Sequence, residues 1–485
     1  MQLECPKAGA HERLRPVTCG HSTTHSGCRS LSGSELERTA ASWRGSFRSR
    51  AGLLKHLPSL KWRFDRSFSG LNRYYFSMVT RLNAMQGGSP RVVELIILSL
   101  LTWSVGLASV SALASLLHYE NAPVLQERFP NFGRFLLLEA AADVSSNVSL
   151  GDVNNDGYPD IVIARGAHSP LVSRVFLNDG HGHFTTAHDL SDVPARSFSA
   201  QLADVTRNGN LAVVVGNDAP DQSFVYLNDG TGHFHVGSTF GRAEWTTRNV
   251  AVADLNGDGW PDIVVANRAA TSEGANYVCL NRGDGKFDTD CILFSHESAT
   301  TITPADFSND GYTDLAVPNR DGGQSYVYLN DGKAHFLRRI PFGPPDARIR
   351  MVAAADLTGD GRLDIVAVDE RHGASIFFNQ GDGTFSAAVP LGTSKATPFA
   401  LATADLRRDG KIDVVVGYAN ARPIVYFNDG SGHKFTAVPF GDDQGIVFGI
   451  AIGDLDGDGW PDVVLARYKA PSVVYFSSGL EGSKR

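Results

Sequence analysis

A short acidic segment recurs along this chain at a spacing that few folds can accommodate. Its first residue falls at Asp152, Asp204, Asp254, Asp306, Asp356, Asp405 and Asp454, at intervals of 52, 50, 52, 50, 49 and 49. A period that steady over seven copies marks a propeller, a solenoid or an array of like units. The fullest copies are Asp254-Leu-Asn256-Gly-Asp258-Gly-Trp-Pro-Asp262 and Asp454-Leu-Asp456-Gly-Asp458-Gly-Trp-Pro-Asp462. Each places side-chain oxygens at positions 1, 3, 5 and 9 of a tight turn.

The parts around each acidic turn repeat as well. A short strand ends in Gly or Ala just before the first Asp, as at Gly151, Ala203 and Ala253, and an apolar run such as Ile161-Val-Ile163 or Val414-Val-Val416 follows the turn. A third strand, Phe224-Val-Tyr226-Leu227 in the second unit, ends in Asn-Asp-Gly, a hairpin signal, and a nearby Phe opens a fourth. Apolar runs without clean alternation predict strands covered on both faces. Four strands per unit and no helical pattern point to an all-β fold, a seven-bladed β-propeller of four-stranded blades preceded by one transmembrane or signal helix. The chain ends on Ser472-Val-Val-Tyr475, a third strand without a fourth, while Asn131 to Leu138 reads as an orphan fourth strand. Pairing the two would close a ring and remove two open sheet edges.

Seven turns of the pattern Asp-x-Asn/Asp-x-Asp-Gly-x-x-Asp or a variant of it, followed by a β run and, in six units, an Asn-Asp-Gly hairpin or a variant, resemble the FG-GAP/VCBS repeat family, the propeller type of integrin α-subunit heads. The resemblance covers residues 131–485. It implies calcium in the loop joining the first two strands of each blade, with the backbone carbonyl at position 7 as a further ligand. Ca²⁺ takes six to eight oxygens. Carboxylates this close repel by about 3 kcal/mol per pair at an effective dielectric of ~20, which a divalent cation relieves. The ligand sets that follow are Asp152, Asn154, Asp156, Tyr158 and Asp160; Asp254, Asn256, Asp258, Trp260 and Asp262; Asp306, Ser308, Asp310, Tyr312 and Asp314; Asp356, Thr358, Asp360, Arg362 and Asp364; and Asp454, Asp456, Asp458, Trp460 and Asp462. Arg407 stands at the third position of the Asp405 loop, and Ala212 at the ninth of the Asp204 loop, so neither is counted. A cation ligated wholly by protein braces a loop and leaves no open position for chemistry.

The net charge of −8 divides unevenly. Residues 1–90 are basic and rich in Ser and Arg, and read as disordered or as an upstream extension, while the acidic remainder argues against nucleic acid as a partner. Cys19, His21, His25 and Cys28 lack the paired Cys-x-x-Cys of a zinc site. Leu95 to Leu117 is an uncharged run long enough to span a bilayer, so residues 91–118 read either as a cleaved signal peptide, given a start at Met85 and the Ala112-Leu-Ala114 cleavage pattern, or as a signal-anchor. Both place the propeller of residues 119–485 outside the cytoplasm, secreted or held at the membrane. Cys279 and Cys291 could form a disulfide there or remain as buried thiols. Asn147-Val-Ser149 is a glycosylation sequon on an expected strand.

Chain direction alternates along a blade, so the loops after the second strand and the connections between units share the face opposite the acidic turns. Arg165, Asn217, Asn267, Arg268, Asn319, Arg320, Arg371, Tyr418, Arg467 and Tyr468, with Trp245 and Arg248 from the connections, suit a protein or glycan ligand there. The favoured function is a non-catalytic recognition module with structural Ca²⁺. The alternative, a lyase or hydratase acting on polysaccharide, would draw on His168, Glu370, His372 and Tyr418, which share no motif.

Overall fold

The apolar run after each acidic turn becomes the most deeply covered strand of its unit. Ala212–Asn217, Asp262–Asn267, Asp364–Asp369 and Asp413–Tyr418 are buried along their whole length. Burying each Val or Ile there contributes roughly 1.5–3 kcal/mol, so both faces are covered, as the unalternating runs predict. The computed structural model describes residues 129–268, 275–287 and 290–479. The basic segment, the Leu95 to Leu117 run and the Cys19 to Cys28 group lie outside these residues. Among the described residues no helix is long and apolar enough to cross a membrane.

Each covered strand pairs antiparallel with the strand before its turn and with the one after. Asp262–Asn267 thus lies between Thr247–Ala253 and Asn276–Cys279, and the last of these pairs with Ile292–Ser295. Four-stranded sheets of this kind begin at Ser197–Ala203, Thr247–Ala253, Thr303–Ala305, Ile349–Ala355 and Pro398–Ala404. The other eight strands form one sheet. In it Ile446–Gly453, Asp462–Ala470, Val473–Phe476 and Arg134–Leu137 meet the four strands from Asp143–Gly151 to Thr186–Asp189. The join is short, Asp143 opposite Ala470 and Val144 opposite Tyr468.

The orphan strand pairs as the sequence suggests, Arg134 opposite Phe476 and Leu137 opposite Val473. Glu139 caps that seam by accepting the Ser472 backbone N–H at 3.0 Å. The first strands of successive sheets touch in chain order, and Asp143–Gly151 also touches Ile446–Gly453. The core lies between neighbouring sheets. At the seam Val148, Ile161, Ile163 and Phe176 pack on Leu455, Val464, Val474 and Phe476. The protein is therefore all-β, with repeated four-stranded sheets in a propeller-like arrangement. A disulfide joins Cys279 to Cys291.

Candidate functional site

The acidic turns are held by their own backbone. In the Asp254 turn, Asp254 Oδ2 accepts the Gly259 N–H at 2.8 Å, and Gly259 takes the reversal at φ +84. The ninth-position Asp262 is fully buried and accepts the Leu255 N–H at 3.0 Å and the Asn281 N–H at 2.8 Å. Asp160 makes the same two bonds, to Val153 and Asn178. Burial pushes the carboxyls of Asp160 and Asp262 up to about 6 and that of Asp462 up to about 7; the N–H bonds oppose the rise and the neighbouring turn aspartates add to it.

The Asn that opens each of these hairpins, Asn-Asp-Gly or the variants Asn281-Arg-Gly and Asn379-Gln-Gly, does more than turn the chain. Its Nδ2 crosses to the preceding sheet and donates to the carbonyl at position 2 of that sheet's acidic turn. The bonds are Asn228 to Val153, Asn281 to Val205, Asn330 to Leu255, Asn379 to Phe307 and Asn428 to Leu357, all between 2.7 and 2.9 Å. Asn178 makes the equivalent bond at 2.9 Å to Leu455, between the first and the last of the repeats. Gly332 in one such hairpin sits at φ +77 beneath Tyr312, where a Cβ would come within 2.4 Å of the ring.

The donor chemistry of the turns fits a hard divalent cation. Asp454, Asp456 and Asp462 present oxygens within 4.8 Å of one another, an all-oxygen set of the kind Ca²⁺ takes. Thr358 Oγ1, the third-position oxygen of its turn, is buried with no hydrogen-bond partner, which a cation would supply. In the Asp405 turn a guanidinium stands in that place. Arg407 reaches Asp409 at 3.3 Å and Asp413 at 3.6 Å, and it donates to the Asn428 carbonyl. In the Asp204 turn the ninth position, Ala212, offers no oxygen and is buried at the start of its strand.

The opposite end of each first strand carries a second repeated feature. A β-bulge interrupts pairing at Ser145/Asn147, Ser197/Ser199, Thr247/Asn249, Ile349/Met351, Pro398/Ala400 and Val447/Gly449. A bulge leaves one residue unpaired and re-aims its side chain. The unpaired residues are Ser146, Phe198, Arg248, Arg350, Phe399 and Phe448, each six residues before the first Asp of its turn. Thr300 holds that register in the remaining unit, whose first strand starts later. All seven line one cavity of about 310 Å³, with His168, Arg268 and Tyr468 also at its wall. One run of its wall is aromatic, from Phe399 through Phe448, Tyr468 and His168 to Phe198, with ring centroids 5.4 to 6.1 Å apart. The rest is cationic. Arg350 lies 4.0 Å over Phe399, Arg248 4.2 Å over Phe198, and Arg268 pairs with Asp321 at 2.7 Å.

Of the residues chosen from sequence for this face, Arg248, Arg268 and Tyr468 line the cavity. Four others must be corrected. Asn217, Asn267, Tyr418 and Arg467 are each 2 % exposed. Asn217 and Asn267 donate to the Gln222 and Ala275 carbonyls, Tyr418 bonds Tyr426 at 2.8 Å, and Arg467 pairs with Asp442 at 2.6 Å, so all four hold structure together. Trp245 stacks on Tyr277 at 4.1 Å in the core between two sheets, and Arg165 bonds the Val172 carbonyl. Asn319 accepts the Ile349 N–H on its backbone carbonyl. Arg320 lies behind the cavity, 2.7 Å from Glu370, while Arg371 pairs with Asp346 at the surface. The catalytic candidates do not converge: His168, Glu370 and the pair His372 and Tyr418 line three separate cavities. Asn147 lies on the strand that walls the central cavity, and its Oδ1 accepts the Ala200 N–H, which leaves the sequon poorly placed for a glycan. The aromatic members Phe198, Phe399 and Phe448 escape strand-alternation reasoning; aligning the units on their first Asp would have found them at position −6.

Comparison with known families matches the FG-GAP-like repeat to residues 152–215, 204–265, 306–367, 356–416 and 408–465. No curated protein matches significantly. Among solved structures the chain is similar to an Agrocybe aegerita lectin described as recognising non-reducing terminal N-acetylglucosamine, at 21% identity over 68% of this chain and 87% of that one, with a TM-score of 0.44. It is also similar to BBS1N in complex with ARL6DN, at 13% identity over 74% of this chain and 99% of that one, with a TM-score of 0.49.

Proposed function

The chain belongs to the FG-GAP-like repeat family, and from that premise we propose that it is a non-catalytic protein- or carbohydrate-binding module that takes its ligand at the cavity ringed by the bulge residues. The observation that carries this reading is the convergence of one side chain per unit, from Ser146 round to Phe448, on a single cavity. Aromatic and arginine side chains are the groups that recognition surfaces favour. The cavity lies at the far end of each first strand from the acidic turns, so bracing and recognition occupy opposite faces.

The same reading makes the fold a closed seven-bladed ring with Ca²⁺ as a structural brace. The cyclic contact of first strands and the Asn178–Leu455 bond support closure. Five turns, those at Asp152, Asp254, Asp306, Asp356 and Asp454, take the cation, and the Arg407 guanidinium substitutes for it in a sixth. The module works outside the cytoplasm, delivered by residues 91–118 as a cleaved signal or as an anchor; the Cys279–Cys291 disulfide suits that compartment. N-terminal sequencing of the mature protein separates the two forms of delivery.

A glycan array run beside a polysaccharide-cleavage assay, both on the full chain in calcium, tests the function. Binding without turnover, weakened by Phe448→Ala, is the expected result. Turnover, or binding indifferent to that substitution, would overturn it.

A further inference from the structure

We propose that the central cavity is a subsite for one carboxylate-bearing sugar residue, a hexuronate at a chain end, with the carboxylate on the arginine side and the pyranose on the aromatic side. The inference rests on the reading of this cavity as the recognition site and names its ligand class.

Charge selects the carboxylate. Arg248, Arg268, Arg320 and Arg350 share three carboxylates, Asp218, Asp321 and Glu370, at 2.5 to 2.8 Å. The balance is positive in a place partly screened from water, where an incoming anion is held more strongly than at open surface. Burial and the neighbouring Arg320 and Arg268 cations pull the Arg350 guanidinium down to about 10, although Glu370 opposes them. Glu370 engages only Nη1 of Arg350, so Nε and Nη2 remain for the forked contact that guanidinium makes with a planar carboxylate. A cation finds neither match, whereas a phosphate could take the same fork but brings no apolar face to the aromatic side.

Shape and polarity select the sugar. The C–H face of a pyranose is apolar and packs on aromatic faces, which Phe448, Tyr468 and His168 supply between the arginine-covered rings of Phe399 and Phe198. Around it stand neutral hydrogen-bonding groups. Asn147 commits its Oδ1 to Ala200 and Gln201, leaving its amide N–H pair, while Asn249 gives Nδ2 to Ser199, leaving its Oδ1. The several hydroxyls of a sugar, each both donor and acceptor, use both at once. The volume of about 310 Å³ is at the small end of ligand pockets, enough for one residue and so for a terminus.

Isothermal titration of the full chain in calcium with methyl β-glucuronide, methyl β-glucoside and an acetylated peptide ending in phenylalanine tests this. The glucuronide should bind about tenfold more tightly than the glucoside, the effect of one charge-assisted pair. Arg350→Gln should remove that preference while leaving glucoside binding, and Phe448→Ala should weaken both sugars. Melting curves establish that the variants fold; Arg268→Gln replaces Arg350→Gln if the latter does not. Equal binding of the two sugars, tighter binding of the peptide, or no glucuronide binding would overturn the inference. A neutral array glycan that needs Phe448 but not Arg350 would sink the hexuronate and keep the recognition reading. Array binding indifferent to Phe448 would sink both.

Discussion

Asn428, like Asn228, makes four side-chain hydrogen bonds, and replacing it tests how the sheets are held together. It is fully buried. Its Nδ2 donates to the Leu357 carbonyl at 2.8 Å in the preceding sheet and to the Ile412 carbonyl at 3.2 Å in its own. Its Oδ1 accepts the N–H groups of Gly430 and Gly432 at 2.9 and 3.1 Å. Asn428→Ala keeps the backbone bond to Asp413 but removes all four side-chain bonds. At about 1 kcal/mol net for each bond, the loss is about 4 kcal/mol. For a folded unit of roughly 350 residues, the unfolding entropy is about 0.7 kcal/mol per degree, so the melting temperature should fall by about 5 °C. Differential scanning calorimetry in calcium measures this. Lys434→Ala in the same hairpin is the control, since Lys434 is exposed and a surface change of that kind costs within about 0.5 kcal/mol. Asn428→Asp is isosteric but points a carboxylate at two carbonyls, and should do at least as much damage as alanine at neutral pH. An alanine variant melting within about 1 °C of the parent would refute the idea that these asparagines clamp neighbouring sheets.

Three further outcomes follow from the same geometry. Arg407→Asn removes the built-in guanidinium from the Asp405 turn, and calcium titration of the chelator-treated protein should show one more equivalent bound than the parent. Deleting residues 130–140 strips the strand paired to Val473–Phe476 and the Glu139 cap, so the whole set of repeated sheets should melt lower; an unchanged melting temperature would argue against the proposed closure by that strand. His168 is held below its ordinary 6.5 by partial desolvation at the cavity rim and then by Arg248 and Arg268, with Asp218 opposing. Its neutral form is favoured in the fold, so its contribution to stability is present above pH 6.5 and is lost as the pH falls below it. On moving from pH 7.5 to 5.5 the parent should lose more stability than His168→Gln, and a bound anion should offset that loss.

The fold was legible because its signals repeat in register. The Asp at position 9, the Gly at position 6 and the apolar run each mean little once, but at a period near fifty they fix the strand boundaries, and Asp262–Asn267 and its counterparts start where the turn motif ends. The closing strand was legible too, since Ser472-Val-Val-Tyr475 is a third strand with no fourth after it in its own unit. The recognition face was harder to read. Loop residues such as Arg467 and Asn267 look exposed from their position after a strand, yet the last polar residue of that strand turns inward to bond the loop, as Asn267 does with Ala275. The cavity side chains lie inside the first strand, where alternation assigns Phe198 and Phe448 to the same packed faces as their neighbours. Only the bulge, a backbone irregularity without a side-chain signature, aims them elsewhere. The two roles of the Asn in Asn-Asp-Gly were likewise hidden, because a turn signal says nothing about a carbonyl about seventy residues away, as with Leu357 and Asn428.

Ligand recognition and cation bracing, as proposed, lie at opposite ends of the first strands of the repeated sheets. Hydrogen–deuterium exchange on the full chain in calcium, with and without the best-binding glycan of the array, measures that division directly. Protection should appear in peptides carrying Phe198, Arg248, Arg350 and Phe448 and leave the Asp254 and Asp454 turns unchanged. Protection centred on the acidic turns and the Asn-Asp-Gly hairpins would contradict it.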